Sequence, residues 1–251
     1  MSGHSHWAKV RRAKSVVDAR RGREWGKVAR RIMAAAKAGG ANPDENLSLR
    51  YAIDDARAVN MPNDTIDKAI KKGAGELGAA TYENIVYEGY GPGGVAFLVD
   101  CLTDNRSRTA PEMRNVFERG GGQLGSAHCV AWMFEKKGVL VASAEAADED
   151  RLMELALEAG ADDVENQGDA FEVTCPPARY NQVKAALEEA KIPLLSSSLA
   201  MVPTTTVPVD ADQAPRVLGL LEALEEHDDV QHVYANFELP EDVLARLGKG
   251  R

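Results

Sequence analysis

The spacing of apolar residues changes near residue 80, and this change constrains the fold more than any other feature of the sequence. Before it, apolar side chains recur every three or four positions, which places them on one face of an α-helix. After it, alternating runs typical of strands are separated by further helical stretches and by Gly-containing turns. The sequence therefore predicts an all-helical N-terminal part followed by mixed α+β structure.

The N-terminal part is predicted to form a bundle of three short helices behind a flexible arm. Residues 1–22 have few large apolar side chains and no sustained period, which is typical of an arm. Glycine or proline ends each helical stretch, and a Gly/Ala-rich linker over residues 74–80 follows. The predicted helices span residues 23–39, 46–59 and 63–73, within a helical domain of residues 23–75.

The rest of the chain is predicted to contain two α+β domains. The Gly-rich segment 89–94 is typical of a tight hairpin between the first two strands. Strands are predicted over residues 85–87, 95–101, 130–135, 138–143, 163–166, 170–175, 194–202 and 230–237. Helices are predicted over residues 108–119, 145–159, 178–191 and 210–226.

Residues 137–204 contain a complete β-α-β-β-α-β order, which is the ferredoxin-like split motif. The last predicted helix and strand have no sheet of their own, so we expect them to return to the sheet begun by residues 82–136. The outer domain then combines residues 82–136 with residues 205–240. The predicted fold class is α+β: an N-terminal three-helix bundle with a basic arm, followed by two ferredoxin-like α+β domains, one inserted in the other.

Charge is distributed unequally along the chain. Residues 1–40 carry eleven Lys and Arg residues against two acidic residues, a net charge of +9 in a chain whose total is −9. A basic region can release counterions from a nucleic acid, whereas the acidic remainder would repel the same polyanion. We therefore expect the N-terminal end to contact nucleic acid, either DNA or ribosomal RNA. The alternative is a solvated arm that contacts nothing.

Side chains of the arm and of the outer faces of the first and third helices are the candidate nucleic-acid-binding residues. Arg can bind a phosphate through two hydrogen bonds, and Lys binds it as a point charge. Trp7 could stack on an unpaired base or pack the arm against the bundle, and the lysines of the third helix could simply be solvated. The candidates are Trp7, Lys9, Arg11, Arg12, Lys14, Arg20, Arg21, Arg23, Lys27, Arg30, Arg31, Lys68, Lys71 and Lys72.

No sequence pattern indicates an enzyme. The five histidines are scattered, the zinc-protease and serine-hydrolase motifs do not occur, and residues 91–94 lack the Lys of a phosphate-binding loop. Residues 103–106 place a carboxylate beside a guanidinium, which fits either an Asp-capped turn before a helix or a contact with a partner. We expect no catalytic residue, no cofactor, no metal site and no small-molecule substrate.

The sequence also indicates the cellular compartment of the protein. The three cysteines, at positions 101, 129 and 175, are far apart and odd in number, which fits a reducing compartment better than a disulfide framework. The first residues do not resemble a signal peptide, and no apolar run reaches the length of a membrane span. We expect a cytoplasmic protein without membrane contact, whose acidic C-terminal domains could meet another protein.

Motifs along the whole chain resemble those of the YebC/PmpR family. GHSHWA at residues 3–8 is similar to that family's GHSKWA start, and NMPNDTI at 60–66 to its NMPKDTI. The most specific motifs are YEGYGPGG at 87–94 and LTDNR at 102–106, and DVQHVYANF at 229–237 resembles DVQNVYSNF. Two departures are His6, where the family usually has Lys, and GSAHCV at residues 125–130, where the family has GxxGSV.

The resemblance implies a cytoplasmic protein with a helical domain and two α+β domains, one inserted in the other. Members of this family are described as DNA-binding transcriptional regulators, and relatives, including mitochondrial ones, as translation factors acting at the ribosome. We therefore expect a DNA-binding transcriptional regulator. The alternative is a ribosome-associated translation factor that binds rRNA or tRNA.

Overall fold

The computed structural model describes residues 19–75, 82–145, 148–240 and 243, with side chains from Glu24 onward. Its helices are α1 (Ala19–Gly39), α2 (Leu47–Ala58), α3 (Asn63–Gly73), α4 (Arg106–Arg119), α5 (Glu149–Glu158), α6 (Tyr180–Glu189) and α7 (Ala214–Glu226). Its strands are β1 (Glu83–Tyr90), β2 (Ala96–Thr103), β3 (Gln123–Leu124), β4 (Phe134–Ser143), β5 (Asp163–Asn166), β6 (Ala170–Cys175), β7 (Leu194–Pro203), β8 (Val207–Pro208), β9 (Val230–Ala235) and β10 (Phe237–Glu238). Among the described residues, no helix is long and apolar enough to cross a membrane.

The helices α1, α2 and α3 form the predicted bundle around a small apolar core, in which Ile32 and Leu49 are fully buried. Asn46 caps α2 by accepting a hydrogen bond from the Leu49 amide at 3.0 Å. The same side chain donates from Nδ2 to the carbonyl oxygens of Ala35 and Gly40. This buried amide therefore joins the end of α1 to the start of α2.

The outer sheet has the strand order β3-β1-β2-β9, and β1 is antiparallel to both of its neighbours. Because β9 comes from the C-terminal part of the chain, the predicted return to the first sheet is confirmed. Phe117 of α4 meets Phe97 of β2 edge to face, with ring centroids 6.2 Å apart, and both rings are fully buried. The outer domain is thus built around the contact between α4 and the central strands.

Between β3 and α7 the chain forms a second sheet with the order β5-β6-β4-β7, in which all neighbours are antiparallel. Its elements occur as β4-α5-β5-β6-α6-β7, with the first and third strands in the centre, which is the ferredoxin-like arrangement. The fold class is therefore confirmed: an N-terminal helical bundle is followed by antiparallel α+β domains, one inserted in the other. The two sheets nevertheless differ in strand order.

The described residues group into two compact units. The first comprises those of Lys14–Cys129 and Ala211–Val233, and it contains the bundle, α4 and α7. The second comprises Val130–Asp210 and the residues from Tyr234 onward, and it contains the inserted sheet. In the second unit, β8 and β10 form a short parallel pair.

The structure corrects some element boundaries. The first helix begins at Ala19, four residues before its predicted start. Of the strand predicted over residues 130–135, only Phe134 and Glu135 are extended, as the start of β4. Ala131–Met133 instead form a 3₁₀ turn closed by a 2.9 Å hydrogen bond from the Met133 amide to the Val130 carbonyl. Trp132 in this turn has 69% of its surface exposed.

Candidate nucleic-acid interface

The structure describes the side chains of only part of the predicted binding set. Trp7, Lys9, Arg11, Arg12 and Lys14 lie outside the described residues. Three more candidates belong to the first turns of α1, where the backbone is described but the side chains are not: Arg20, Arg21 and Arg23. The remaining six candidates are on α1 and α3, and the structure places these two groups in different surroundings.

The described basic face of α1 comprises Lys27, Arg30 and Arg31, and it contacts the C-terminal end of α7 and the start of β9. We call residues 225–232 the α7–β9 segment. Four of the first five residues of this segment are acidic, at positions 225, 226, 228 and 229. The α1 basic face is therefore placed against an acidic part of the same compact unit.

Lys27 binds a backbone carbonyl group in the last turn of α7, and Arg30 binds one in the loop that follows. Lys27 Nζ lies 2.5 Å from the carbonyl oxygen of Glu225, and Arg30 Nη1 donates to the carbonyl oxygen of Asp228. The last carbonyl groups of a helix have no partner within it, and the negative end of the helix dipole favours cations. Lys27 therefore caps α7 from a different helix, and Arg30 binds the loop between α7 and β9.

Arg31 contacts both the helical bundle and the outer sheet. It forms an ion pair with Asp55 of α2, and its Nη1 lies 3.1 Å from Nε2 of His232 in β9. The first contact stabilises the bundle itself, and the second connects the bundle to the outer sheet. All three cations of the α1 basic face thus have partners within the protein.

Asp229 is the buried centre of this contact, with only 4% of its surface exposed. Its Oδ2 accepts hydrogen bonds from Arg108 and Thr109, each at 2.8 Å, and its Oδ1 lies 3.8 Å from Arg30 Nη1. Burial by itself would raise the pKa of Asp229, but hydrogen bonds from Arg108, Thr109 and Thr103 and the charge of Arg108 outweigh burial and lower this pKa. The carboxylate is therefore ionised at neutral pH, and it links α1 and α4 to the start of β9.

A cleft of about 720 Å³ opens beside Asp229. Acidic side chains outnumber the two arginines in its wall, so the cleft is poorly suited to a phosphate group. The lining residues are Arg30, Tyr82, Asp104, Arg108, Glu112, Asn115, Val116, Glu226, His227, Asp228 and Asp229. In the part of the chain that the structure describes, no group of three His, Cys, Asp or Glu side chains is arranged to hold a metal ion.

The α3 lysine face, formed by Lys68, Lys71 and Lys72, has different surroundings. All three residues are exposed, and none forms an ion pair with another described residue. Their spacing of three and four residues places them side by side on the helix. Lys71 and Lys72 lie in the last turn, where the helix dipole favours positive charge. Of the six described candidates, these three direct their charge to solvent.

The Thr103–Arg106 motif has a structural role, with one correction. Asn105, and not Asp104, caps α4, by accepting a 3.1 Å hydrogen bond from the Arg108 amide. Asp104 instead forms an ion pair with Arg108, with Oδ1 3.1 Å from Nη2. The carboxylate of this motif therefore supports Arg108, which binds Asp229.

The Gly-rich hairpin between β1 and β2 is also explained by local structure. Gly93 and Gly94 have φ angles of 73° and 75°, a region that residues with side chains rarely adopt. A Cβ atom at Gly91 would lie 2.5 Å from the ring of Phe97. The predicted hairpin is confirmed, and the turn and the packing account for its glycines.

Two parts of the site were missed by the sequence analysis: Arg108 and the α7–β9 segment. Arg108 follows the LTDNR motif and Asp229 begins the DVQHV motif, so both motifs were noticed separately. The two residues are 121 positions apart, and charge alone does not tell which Arg meets which Asp. Only the three-dimensional structure pairs them.

Comparison with known proteins covers nearly the whole chain. Residues 5–76 match the model of the TACO1/YebC protein N-terminal domain, and residues 82–237 match that of the TACO1/YebC second and third domain. A probable transcriptional regulatory protein of Pelotomaculum thermopropionicum is 51% identical over 95% of this chain and 99% of its own length. One of Geobacter sulfurreducens is 49% identical over 98% of this chain and 100% of its own.

A solved structure agrees with these sequence matches. The crystal structure of a conserved hypothetical protein from Aquifex aeolicus is 45% identical in sequence, with a TM-score of 0.83. The match covers 92% of this chain and 96% of that chain. The chain therefore belongs to the YebC/PmpR family, to which the TACO1/YebC models refer.

Proposed function

We propose that this protein regulates transcription by binding the DNA backbone with its basic N-terminal region. The observation that carries the proposal is the unequal charge: +9 in residues 1–40 of a chain whose total is −9. The exposed α3 lysine face adds positive charge in the same helical domain. The relatives named above are probable transcriptional regulatory proteins, which supports a regulatory role.

The chemistry of the region favours contacts with phosphate groups over reading of base edges. Lys and Arg that neutralise phosphates release condensed counterions, and this term does not depend on sequence. Helices that read bases in the major groove present Arg, Asn or Gln to the base edges. The α3 helix contains no Arg or Gln, and its one Asn is at its first position. Any sequence preference is therefore expected to come mainly from DNA shape.

The acidic remainder of the chain would limit how DNA approaches. Outside residues 1–40 the net charge is −18, which repels a polyanion over roughly one Debye length, about 8 Å at physiological salt. DNA is thus attracted to the N-terminal region and repelled from the acidic domains. Those domains remain available for contact with another protein.

A salt titration tests this proposal. We would measure fluorescence anisotropy of a labelled DNA duplex and a labelled rRNA fragment with the full chain, from about 50 to 200 mM salt. The proposal expects DNA binding whose log K falls linearly with log salt. Absence of salt-dependent binding to either probe would contradict any nucleic-acid function.

Sedimentation of a cell lysate tests the alternative, a ribosome-associated translation factor that binds rRNA or tRNA. If the protein travels with ribosomes, leaves them at high salt and binds the rRNA fragment more tightly than the duplex, the target is ribosomal RNA. If it stays at the top of the gradient and prefers the duplex, DNA is the target. Nuclease treatment of the lysate is the control for indirect association.

A further inference from the structure

The cations of the α1 basic face already bind oxygen atoms of the same kind that a phosphate would offer. Lys27 donates to the carbonyl oxygen of Glu225, and Arg30 donates to that of Asp228 while facing the Asp229 carboxylate. Each contact uses one donor, and Lys and Arg carry further N–H groups, so competition arises from the space and charge of the segment. A phosphate would have to reach Lys27 and Arg30 past the backbone and carboxylate oxygens that already lie against them.

The charge of the α7–β9 segment strengthens this competition. Its acidic residues at positions 225, 226, 228 and 229 lie in the chain that covers Lys27 and Arg30. Negative charge within a Debye length of roughly 8 Å repels an approaching phosphate even where no atom blocks its path. The segment therefore resembles a polyanion both in its oxygen atoms and in its charge.

We propose that the α7–β9 segment is an intramolecular competitor of nucleic acid, which covers the α1 basic face in the unbound protein and leaves it on binding. This inference rests on the proposed function, because it assumes that Lys27 and Arg30 bind phosphate. In the covered state the α3 lysine face is still available. Release of the segment adds the α1 basic face to the binding surface.

The contacts are suited to reversible release. The Arg30 side chain remains 25% exposed, so its interactions are screened by water and salt. The Asp229 contacts with Arg108 and Thr109 lie within the outer domain and do not depend on the bundle. The segment therefore stays attached to the outer domain through Asp229 when α1 moves away, but residues 225–228 lose the order that Lys27 and Arg30 give them. The apparent association constant for nucleic acid then equals the intrinsic constant multiplied by the fraction of molecules in which the α1 basic face is uncovered.

Two substitutions of equal charge separate this inference from a general effect of charge. Asp229→Asn removes the carboxylate that faces Arg30, whereas Asp228→Asn removes an exposed carboxylate that forms no ion pair with another described residue. We expect Asp229→Asn to tighten binding of a labelled DNA duplex on the order of fivefold. Asp228→Asn should change it by less than about twofold, since it alters only long-range charge. Equal effects of the two substitutions would contradict the proposal that the α7–β9 segment competes with nucleic acid.

Hydrogen exchange of the wild-type protein tests the same inference without a substitution that could impair folding. The amide of Val230 donates to the His227 carbonyl oxygen, and that of Asp229 to His227 Nδ1, so both report on the order of the segment. On addition of the DNA duplex we expect faster exchange over residues 225–232 and slower exchange over α1. Unchanged or slower exchange of the segment, with the duplex bound, would overturn the competitor and leave the proposed function intact. No binding by wild type or by Asp229→Asn would overturn both.

Discussion

At the scale of single residues, Asp229 is the central residue of the candidate site, because it contacts side chains from several elements. It is buried, ionised and bound by Arg108 and Thr109, and Arg30 of the bundle faces it. Its motif is visible in the sequence, but its partners come from α1 and α4, far away along the chain. The burial of this carboxylate and the identity of its partners therefore had to come from the structure.

The lowered pKa of Asp229 predicts how stability changes with pH. A carboxyl group whose pKa is lower in the folded than in the unfolded protein stabilises the fold above the unfolded pKa, near 3.9. That contribution is lost as pH falls through the folded pKa. We expect the free energy of unfolding in urea to decrease below about pH 4, and Asp229→Asn to show a smaller decrease. Asp228→Asn is the control, and the same pH dependence in all three proteins would contradict this role of Asp229.

Cysteine reactivity is a second prediction at this scale. Burial, followed by the charges of Asp229 and Asp100, raises the pKa of Cys101 to about 12, so its reactive thiolate is scarce. Cys175 is also buried, whereas Cys129 is partly exposed. We expect iodoacetamide to label Cys129 first in the native protein, as read by mass spectrometry. All three should react after unfolding in urea, and native labelling of Cys101 as fast as Cys129 would contradict the buried position of Cys101.

At the scale of elements, the approach of α3 to α1 depends on Gly73. A Cβ atom there would lie 2.4 Å from the Met33 carbonyl oxygen, a backbone atom that cannot move aside cheaply. We expect Gly73→Ala to destabilise the protein by about 1–3 kcal/mol in urea unfolding. Gly26→Ala in α1 is the matched control. Its Cβ would meet nothing within 4 Å, so it should stabilise by roughly 0.5–1 kcal/mol. Two changes of the same sign and size would contradict this packing.

Element prediction succeeded where periodicity was long and failed where structure was short or local. The bundle helices and the inserted sheet were predicted from their repeated apolar positions, and the structure confirms them. The two-residue strand β3 is too short to show alternation. The apolar run at residues 130–135 suggested one strand, but it contains a turn that exposes Trp132 before β4 begins. The period of apolar residues alone therefore does not reveal a two-residue strand or separate a turn from a strand.

At the scale of the whole molecule, net charge located a basic region but did not show which of its cations are available. The sequence places Lys27, Arg30 and Arg31 in one candidate set with the lysines at positions 68, 71 and 72, for which solvation was the alternative. In the structure, the first three contact other parts of the protein, and the last three face solvent. The difference arises because the C-terminal part of the chain returns to the outer sheet beside the bundle, which is a long-range contact.

The most direct test of the account measures how DNA binding depends on salt when the α3 lysine face is neutralised. The variant K68A/K71A/K72A is compared with K136A/R151A/K184A, which removes three positive charges from the inserted domain. We expect the first variant to lower the slope of log K against log salt by about three and to weaken binding roughly tenfold at physiological salt. The control variant should bind like the wild type, and thermal unfolding should show both variants folded. Equal binding by the two variants would contradict the claim that the α3 lysine face contacts the nucleic acid.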